Sequence, residues 1–175
     1  MLKIMGIVIV VLVAVVLILA ATKPDTFQIQ RAATIKAPPE KVFALIDDFQ
    51  RWGAWSPWEK KDPAMKRTFS ATTGGKGASY AWEGNKDVGQ GRMEIVESVA
   101  PSTVAIDLDF VKPFAAHNRV DFVLAPAGDA TNVTWTMRGD TPYFAKIIHV
   151  FIDMDKMVGK DFETGLANLK TAAEQ

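Results

Sequence analysis

The residue types that perform acid–base chemistry or bind metals are few in this chain, and they are scattered. The chain contains two histidines, His117 and His149, and no cysteine. Without cysteine, a thiolate zinc site, a disulfide scaffold and a cysteine nucleophile are excluded. The histidines fall on different predicted elements, and neither has a carboxylate-and-histidine set at metal-ligand spacing. We therefore predict no metal site and no cofactor.

Glu97 is the carboxylate whose position in the pattern points inward. It shares strand parity with the apolar residues Met93, Ile95 and Val99, so it should point inward unless a bulge intervenes. A buried carboxylate needs a partner or a raised pKa, and it can serve as an acid, a base or a ligand anchor. The alternative is that Glu97 lies at the end of its strand and reaches water. No catalytic set is predicted from the residues themselves.

Other motifs and the overall charge exclude further classes of function. The glycine-rich stretch 74–77 lacks the first glycine and the hydroxyl residue of a phosphate loop, and Gly89-Gln90-Gly91 lies between strands rather than before a helix. No nucleophile elbow is present. With 20 basic and 20 acidic residues, the chain lacks the basic surplus of a generic nucleic-acid binder. We predict no nucleic-acid partner.

The apolar residues of the alternating stretches are the strongest positive signal. Aromatic, methionine and aliphatic side chains of four predicted strands share one face, and methionine adapts to varied ligands while tryptophan brings a polar donor. They either fill a core or line a pocket for an apolar molecule. They are Tyr80, Trp82, Met93, Ile95, Ile106, Leu108, Phe110, Trp135 and Met137.

The elements that must position these residues follow from periodicity. The pattern predicts a strand over Thr26–Ile35, then a helix opened by Pro38-Pro39, then a broken helix or loop holding Trp52, Trp55 and Trp58. Five alternating strands follow between residues 77 and 138, separated by short turns. They predict an antiparallel meander with one buried and one wet face.

The chain ends in one predicted helix that begins near Pro142. Its apolar stripe, which includes Phe144, Ile148 and Phe151, is wider than that of an ordinary surface helix. A helix laid along a curved sheet leaves a gap where apolar ligands bind. We therefore expect a pocket with the sheet residues below, these three residues above, and the Trp52–Trp58 segment, with Trp55 as its ligand-binding residue, near one mouth.

The N-terminal segment has the composition of a membrane span. Residues 4–21 carry no charge and lie between Lys3 and Lys23. At about 1.5 Å per residue they extend roughly 27 Å, close to the hydrocarbon thickness of a bilayer. We predict two units, an anchor or signal with a short linker (1–24) and a soluble domain (25–175). A retained single-pass anchor with the domain outside the cytoplasm is favoured, and a cleaved signal is the alternative.

Four stretches carry a resemblance to a known family. They are Ala37-Pro38-Pro39-Glu40-Lys41-Val42-Phe43, the tryptophan segment 52–58, and Tyr80-Ala81-Trp82-Glu83-Gly84-Asn85, together with the terminal segment 159–169. The chain resembles the SRPBCC (START-like) superfamily, in its polyketide cyclase/dehydrase and lipid-transport branch and its membrane-anchored bacterial form. The resemblance implies an α+β helix-grip fold, with a curved antiparallel sheet wrapped around a long C-terminal helix.

These observations lead to one principal hypothesis and two alternatives. The principal hypothesis is a membrane-tethered domain that binds or carries a hydrophobic or amphipathic small molecule, a lipid or an aromatic metabolite, between sheet and helix. One alternative is a cyclase-type enzyme that uses polar groups such as Glu97, Tyr80 or His149. The other is a co-chaperone-like interaction module with a filled core and an exposed Trp52–Trp58 segment. Because fold does not fix function, catalysis is left open.

Overall fold

The first element is a long apolar helix that contacts the rest of the chain mainly through α4 (Tyr143–Phe151). The structure, a computed structural model, describes residues 2–175. Helix α1 (Leu2–Ala21) is exposed over nearly its whole length, and its residues 3–21 are long and apolar enough to cross a membrane. Ala20, near its C-terminal end, is fully buried against the domain that follows.

The chain after α1 forms a seven-stranded antiparallel sheet, with the C-terminal helix packed on one face. Its strands are β1 (Thr26–Ile35), β2 (Lys66–Phe69), β3 (Ser79–Glu83), β4 (Gln90–Val99), β5 (Thr103–Lys112), β6 (Ala116–Ala127) and β7 (Ala130–Asp140). Their order in the sheet is β1-β7-β6-β5-β4-β3-β2, so the first strand pairs with the last. The predicted first strand and the antiparallel meander are confirmed.

The helices are α2 (Pro39–Ile46), a 3₁₀ helix (Phe49–Ala54), α3 (Pro57–Lys61), α4 (Tyr143–Phe151) and α5 (Met154–Glu174). Helix α2 begins with Pro39 in its first turn, where a missing N–H costs nothing, and buries Val42, Phe43 and Ile46. Helix α5 packs mainly against β1, the first strand of the sheet. The α+β helix-grip architecture is therefore confirmed.

The expectation of one helix from Pro142 to the C-terminus is wrong, because the chain leaves the helical path at Ile152 and Asp153. Ile152 is extended, with φ −119° and ψ 125°. The Asp153 side chain then accepts a hydrogen bond from the backbone N–H of Lys156, which caps a new helix. The break directs α4 away from the sheet, and α4 packs mainly against α1.

The inward direction expected for Glu97 is also wrong. The pairing of β4 with β5 shifts between Ile95 and Glu97, so that Ile95 faces Ile106 and Glu97 faces Ala105. This bulge inserts one residue into β4 and reverses the alternation beyond it. Glu97 and Val99 are consequently exposed, whereas Met93 and Ile95 are buried.

Candidate ligand-binding face

The concave face of the sheet, the face toward α5, collects all nine sheet residues of the sequence-based set. Eight are buried and Phe110 is half-buried. The face has two halves. The packed half contains Ile95, Ile106, Phe122, Val133 and Trp135, and the open half contains Trp82, Met93, Leu108, Phe110 and Asn118. Met137 lies at the boundary, because it is in the same cross-strand row as Ile95 and Ile106. The open half lies toward the sheet end where β1 begins and β7 ends.

Aromatic rings fill the packed half. The Trp135 ring stacks on Phe162 of α5 with centroids 4.0 Å apart, and Trp55 meets Trp135 edge-on at 5.6 Å. Even the helix backbone is close, because a Cβ added at Gly165 would lie 2.7 Å from Trp135. The side chains in this half therefore leave little room between the sheet and α5.

The tryptophan segment belongs to this packed half. The Trp52 indole donates to the Ile46 carbonyl at 2.9 Å, and the Trp55 indole donates to the Leu45 carbonyl at 2.8 Å. Trp52 and Trp55 are buried. The hypothesis of an exposed contact site at Trp52–Trp58 is therefore wrong for these two rings, and Trp55 lies in the core rather than at a mouth.

The open half is the part of the face that α5 reaches least. Helix α5 begins beside Arg31 of β1, whose guanidinium bonds Asp155 in the first turn at 3.0 Å and Glu163 two turns later at 2.8 Å. The later turns of α5 bond Thr34 and Lys36, so the helix runs away from the open end. Trp82 retains 9% exposure, and Met93, Leu108 and Met137 retain 8% each, whereas Ile95 and Ile106 retain none. The residues left in residual contact with solvent are thus predominantly apolar.

Asn118 is the polar residue in the open half, and the sequence reading missed it. It lies opposite Leu108 on one side and Gly139 on the other, and it is 5% exposed. Its neighbours His117 and Arg119 bond Asp109 and Asp107, whereas the Asn118 amide makes no hydrogen bond within the described residues and stays accessible to solvent. The signal was present, because Asn118 shares strand parity with Val120, Phe122 and Leu124.

A second polar group on the concave face lacks a partner. The indole Nε1 of Trp135 is buried and makes no hydrogen bond within the described residues. A buried donor without an acceptor typically costs about 1–3 kcal/mol. The concave face therefore presents one indole N–H and one amide inside an apolar surface.

The structure does not bring Phe144, Ile148 and Phe151 over the sheet. All three lie on α4, where Phe144 is 58% and Phe151 is 72% exposed and Ile148 is half-buried. The expectation that they form the upper wall of a pocket is wrong, because the break before α5 carries them toward α1.

The remaining polar groups are engaged elsewhere. The Tyr80 hydroxyl donates to Glu59 Oε1 at 2.6 Å, and Arg67 holds the other Glu59 oxygen at 2.7 Å. Burial, followed by this bond to Glu59, raises the pKa of Tyr80, so the hydroxyl stays protonated at neutral pH. The Asp109 carboxylate raises the pKa of exposed His117.

His149 lies on α4, on a helix that packs mainly against α1. Burial and the nearby Lys23 charge lower its pKa. Together with the outward position of Glu97 and the occupied hydroxyl of Tyr80, this leaves no acid–base pair converging on the concave face among residues 2–175.

A curved sheet, a C-terminal helix laid along it and an apolar concave face define the class of helix-grip domains. Residues 26–174 match the family described as polyketide cyclase / dehydrase and lipid transport. The chain belongs to this family. No functionally curated protein shows significant sequence similarity to it.

Solved structures share the fold at low identity. The KanY protein is 16% identical with a TM-score of 0.64, over 86% of this chain and 99% of that one. A protein from Chromobacterium violaceum is 14% identical with a TM-score of 0.61, over 87% and 99%. The Aha1 dimer from Colwellia psychrerythraea is 18% identical with a TM-score of 0.60, over 85% and 96%. At such identities the likeness supports the fold alone.

Proposed function

We propose that this protein is a membrane-tethered domain that binds a hydrophobic or amphipathic small molecule, a lipid or an aromatic metabolite, on the open half of its concave face. The observation that carries the proposal is the contrast between the two halves. One is filled by stacked aromatic rings, and the other leaves Trp82, Met93 and Leu108 short of full burial. The family's description, which includes lipid transport, supports the same class of ligand.

The chemistry of the open half suits an amphipathic ligand better than a pure hydrocarbon. Methionine side chains adapt to ligands of different shape, and the Trp82 ring, held by its bond to the Val88 carbonyl, offers a flat apolar surface. The Asn118 amide can donate to and accept from a polar group of the ligand. A ligand with one polar group and an apolar body satisfies both features.

The membrane attachment in this proposal is provided by helix α1. We propose that α1 spans the membrane, stays attached and leaves residues 25–175 outside the cytoplasm. A domain held beside a bilayer meets lipid-soluble molecules at a high effective concentration, so modest intrinsic affinity suffices for loading.

The two alternative functions have less support. A cyclase-type enzyme needs polar groups on the concave face, but Glu97 points away from it, and the Tyr80 hydroxyl already bonds Glu59. An interaction module needs an exposed tryptophan segment, but Trp52 and Trp55 are buried.

Native mass spectrometry of the full chain, purified in detergent, tests the proposal. We expect a co-purified small molecule or, after addition, a bound fatty-acid fluorophore. In the variant Leu108→Trp the added ring fills the open half, so the adduct should be lost. The matched control is Val123→Trp, because Val123 is exposed on the opposite face of the sheet.

A thermal midpoint measured on both variants distinguishes a blocked site from a damaged fold. Adduct lost at an unchanged midpoint in Leu108→Trp, and retained in Val123→Trp, supports binding on the open half. A parent protein that carries no adduct and binds no fluorophore would refute the proposed function.

A further inference from the structure

We propose that α4 lies in the interfacial zone of the membrane beside α1, so that the open half of the concave face meets the bilayer at the level of the lipid headgroups. This inference rests on the proposed membrane span of α1. It adds the docking surface, the orientation of the domain and the route by which a ligand arrives.

The depth of α4 follows from one hydrogen bond. The Tyr143 hydroxyl donates to the Leu17 carbonyl at 2.9 Å. Leu17 lies four residues before the end of α1 at Ala21. At 1.5 Å per residue this contact lies about 6 Å inside the C-terminal end of the helix. If α1 spans the bilayer, the Tyr143 hydroxyl therefore lies within the leaflet, and α4 begins at the boundary with the headgroups.

Three further contacts fix α4 in this position. The Lys146 ammonium, nearly buried, bonds Asp25 of the linker at 2.6 Å. The backbone N–H of Thr141 donates to the Asp25 carbonyl, also at 2.6 Å. Ala20 of α1 is completely buried. The linker from residue 22 to residue 25 is thus clamped, and α4 and α1 are held together.

The surface that α4 presents suits lipid. Phe144, Ile148 and Phe151 follow one another at helical spacings of four and three residues and form one face. The Phe114 ring at the β5–β6 hairpin lies 5.5 Å from Phe144 and is 59% exposed. We call Phe114, Tyr143, Phe144, Ile148 and Phe151 the interfacial patch.

The occupant of the patch is the bilayer, because the patch is continuous with a helix of bilayer length. Amphipathic helices in such positions bury their apolar face about 5–10 Å into the boundary between headgroups and acyl chains. Tyrosine is enriched at that boundary, which agrees with Tyr143 at the contact with α1. The apolar rings that water would surround are then covered by lipid.

The patch also sets the direction of the open half. The strands β1, β6 and β7 pair Thr26 with Asp140 and Asn118 with Gly139 at the sheet end next to the linker and α4. The open half therefore lies at the membrane end of the domain. A lipid-soluble ligand can pass between the leaflet and this face without crossing bulk water.

The absence of cysteine allows a direct test in the full chain. An environment-sensitive fluorophore is attached to Phe144→Cys or Phe151→Cys, and the labelled protein is reconstituted into phosphatidylcholine vesicles. The lipids carry bromine on the acyl chain, near the headgroup in one set of vesicles and near the chain end in another, and bromine quenches nearby fluorophores. Val11→Cys reports on the span, and Val123→Cys, exposed on the convex face, is the matched control.

We expect quenching at both α4 positions about threefold stronger than at Val123, as for a helix buried in the headgroup boundary. Quenching at Val11 with none beyond the Val123 level at Phe144 and Phe151 would overturn this inference and leave the tether intact. No quenching at Val11 would overturn both the tether and the inference. Ligand binding on the open half is measured separately, through Leu108→Trp, so its failure is distinguishable.

Discussion

The two halves of the concave face are built on the same strands yet have opposite characters. In the packed half, the Phe162 ring of α5 stacks on Trp135, and the Trp55 ring of the tryptophan segment packs against Phe122. In the open half the same alternation continues to Met93 and Leu108, but α5 does not extend that far. The difference shows that the position of the covering helix, rather than the residue types in the strands, determines which part of the concave face is fully buried.

The largest expected effect is the loss of a ring from the packed half. Phe162→Ala removes the ring stacked on Trp135 and should lower the free energy of unfolding by about 3–5 kcal/mol, because neighbouring rings cannot collapse into the space. Met137→Ala, at the edge of the open half, should cost less, about 2 kcal/mol, since Met137 keeps 8% exposure whereas Phe162 keeps 1%. Urea unfolding followed by circular dichroism measures both, and equal losses would contradict the division into halves.

A smaller change in the free energy of unfolding, without the loss expected for the other two variants, is expected for a substitution at Asn118. Asn118→Leu removes a nearly buried amide that has no partner among the described residues, so the free energy of unfolding should stay unchanged or rise by about 1 kcal/mol. Affinity for a fatty acid should nevertheless fall, while affinity for a hydrocarbon of the same length should not. Fluorophore displacement with both competitors measures this. A clear loss of stability would show that the amide is already satisfied within the fold.

The smallest expected effect is a pH-dependent change in stability that comes from the ion pair between Arg31 and Asp155. The hydrogen bond from Arg31 lowers the pKa of the exposed Asp155 carboxyl below its usual value of 3.8. Because the folded pKa is the lower one, this contribution to stability is present above pH 3.8 and is lost as the pH falls through the folded value. Thermal midpoints of the parent and of Asp155→Asn should therefore converge at low pH. A difference independent of pH would contradict the ion-pair explanation.

The strands were predictable because alternation is a local property. Parity placed Tyr80, Met93 and Trp135 on one face from their spacing alone, and the structure agrees. It failed at Glu97, since a bulge after Ile95 changes the parity without any change in residue type. It also missed β2, which has four residues and pairs only with β3.

The helices of the C-terminal region were harder to predict, because an apolar stripe has the same spacing whether it lies on one helix or on two helices separated by a short break. Asp153 is a suitable N-cap residue and was the available sign of a new helix. The direction of α4 depends on contacts with α1 and Asp25, which are distant in sequence. The periodic pattern therefore predicted the sheet residues of the candidate site correctly. It misplaced the helix residues that were expected to cover them.

The pairing of the first strand with the last has a consequence for the order of events during synthesis. Strands β2 to β7 each pair with a neighbour in sequence and can form as a series of hairpins. Strand β1 leaves the ribosome first, yet its partner is complete only at Asp140, and α5, which covers it, comes later still. Such non-local pairing is slow. Strand β1 therefore stays without its partner strand until synthesis has passed β7.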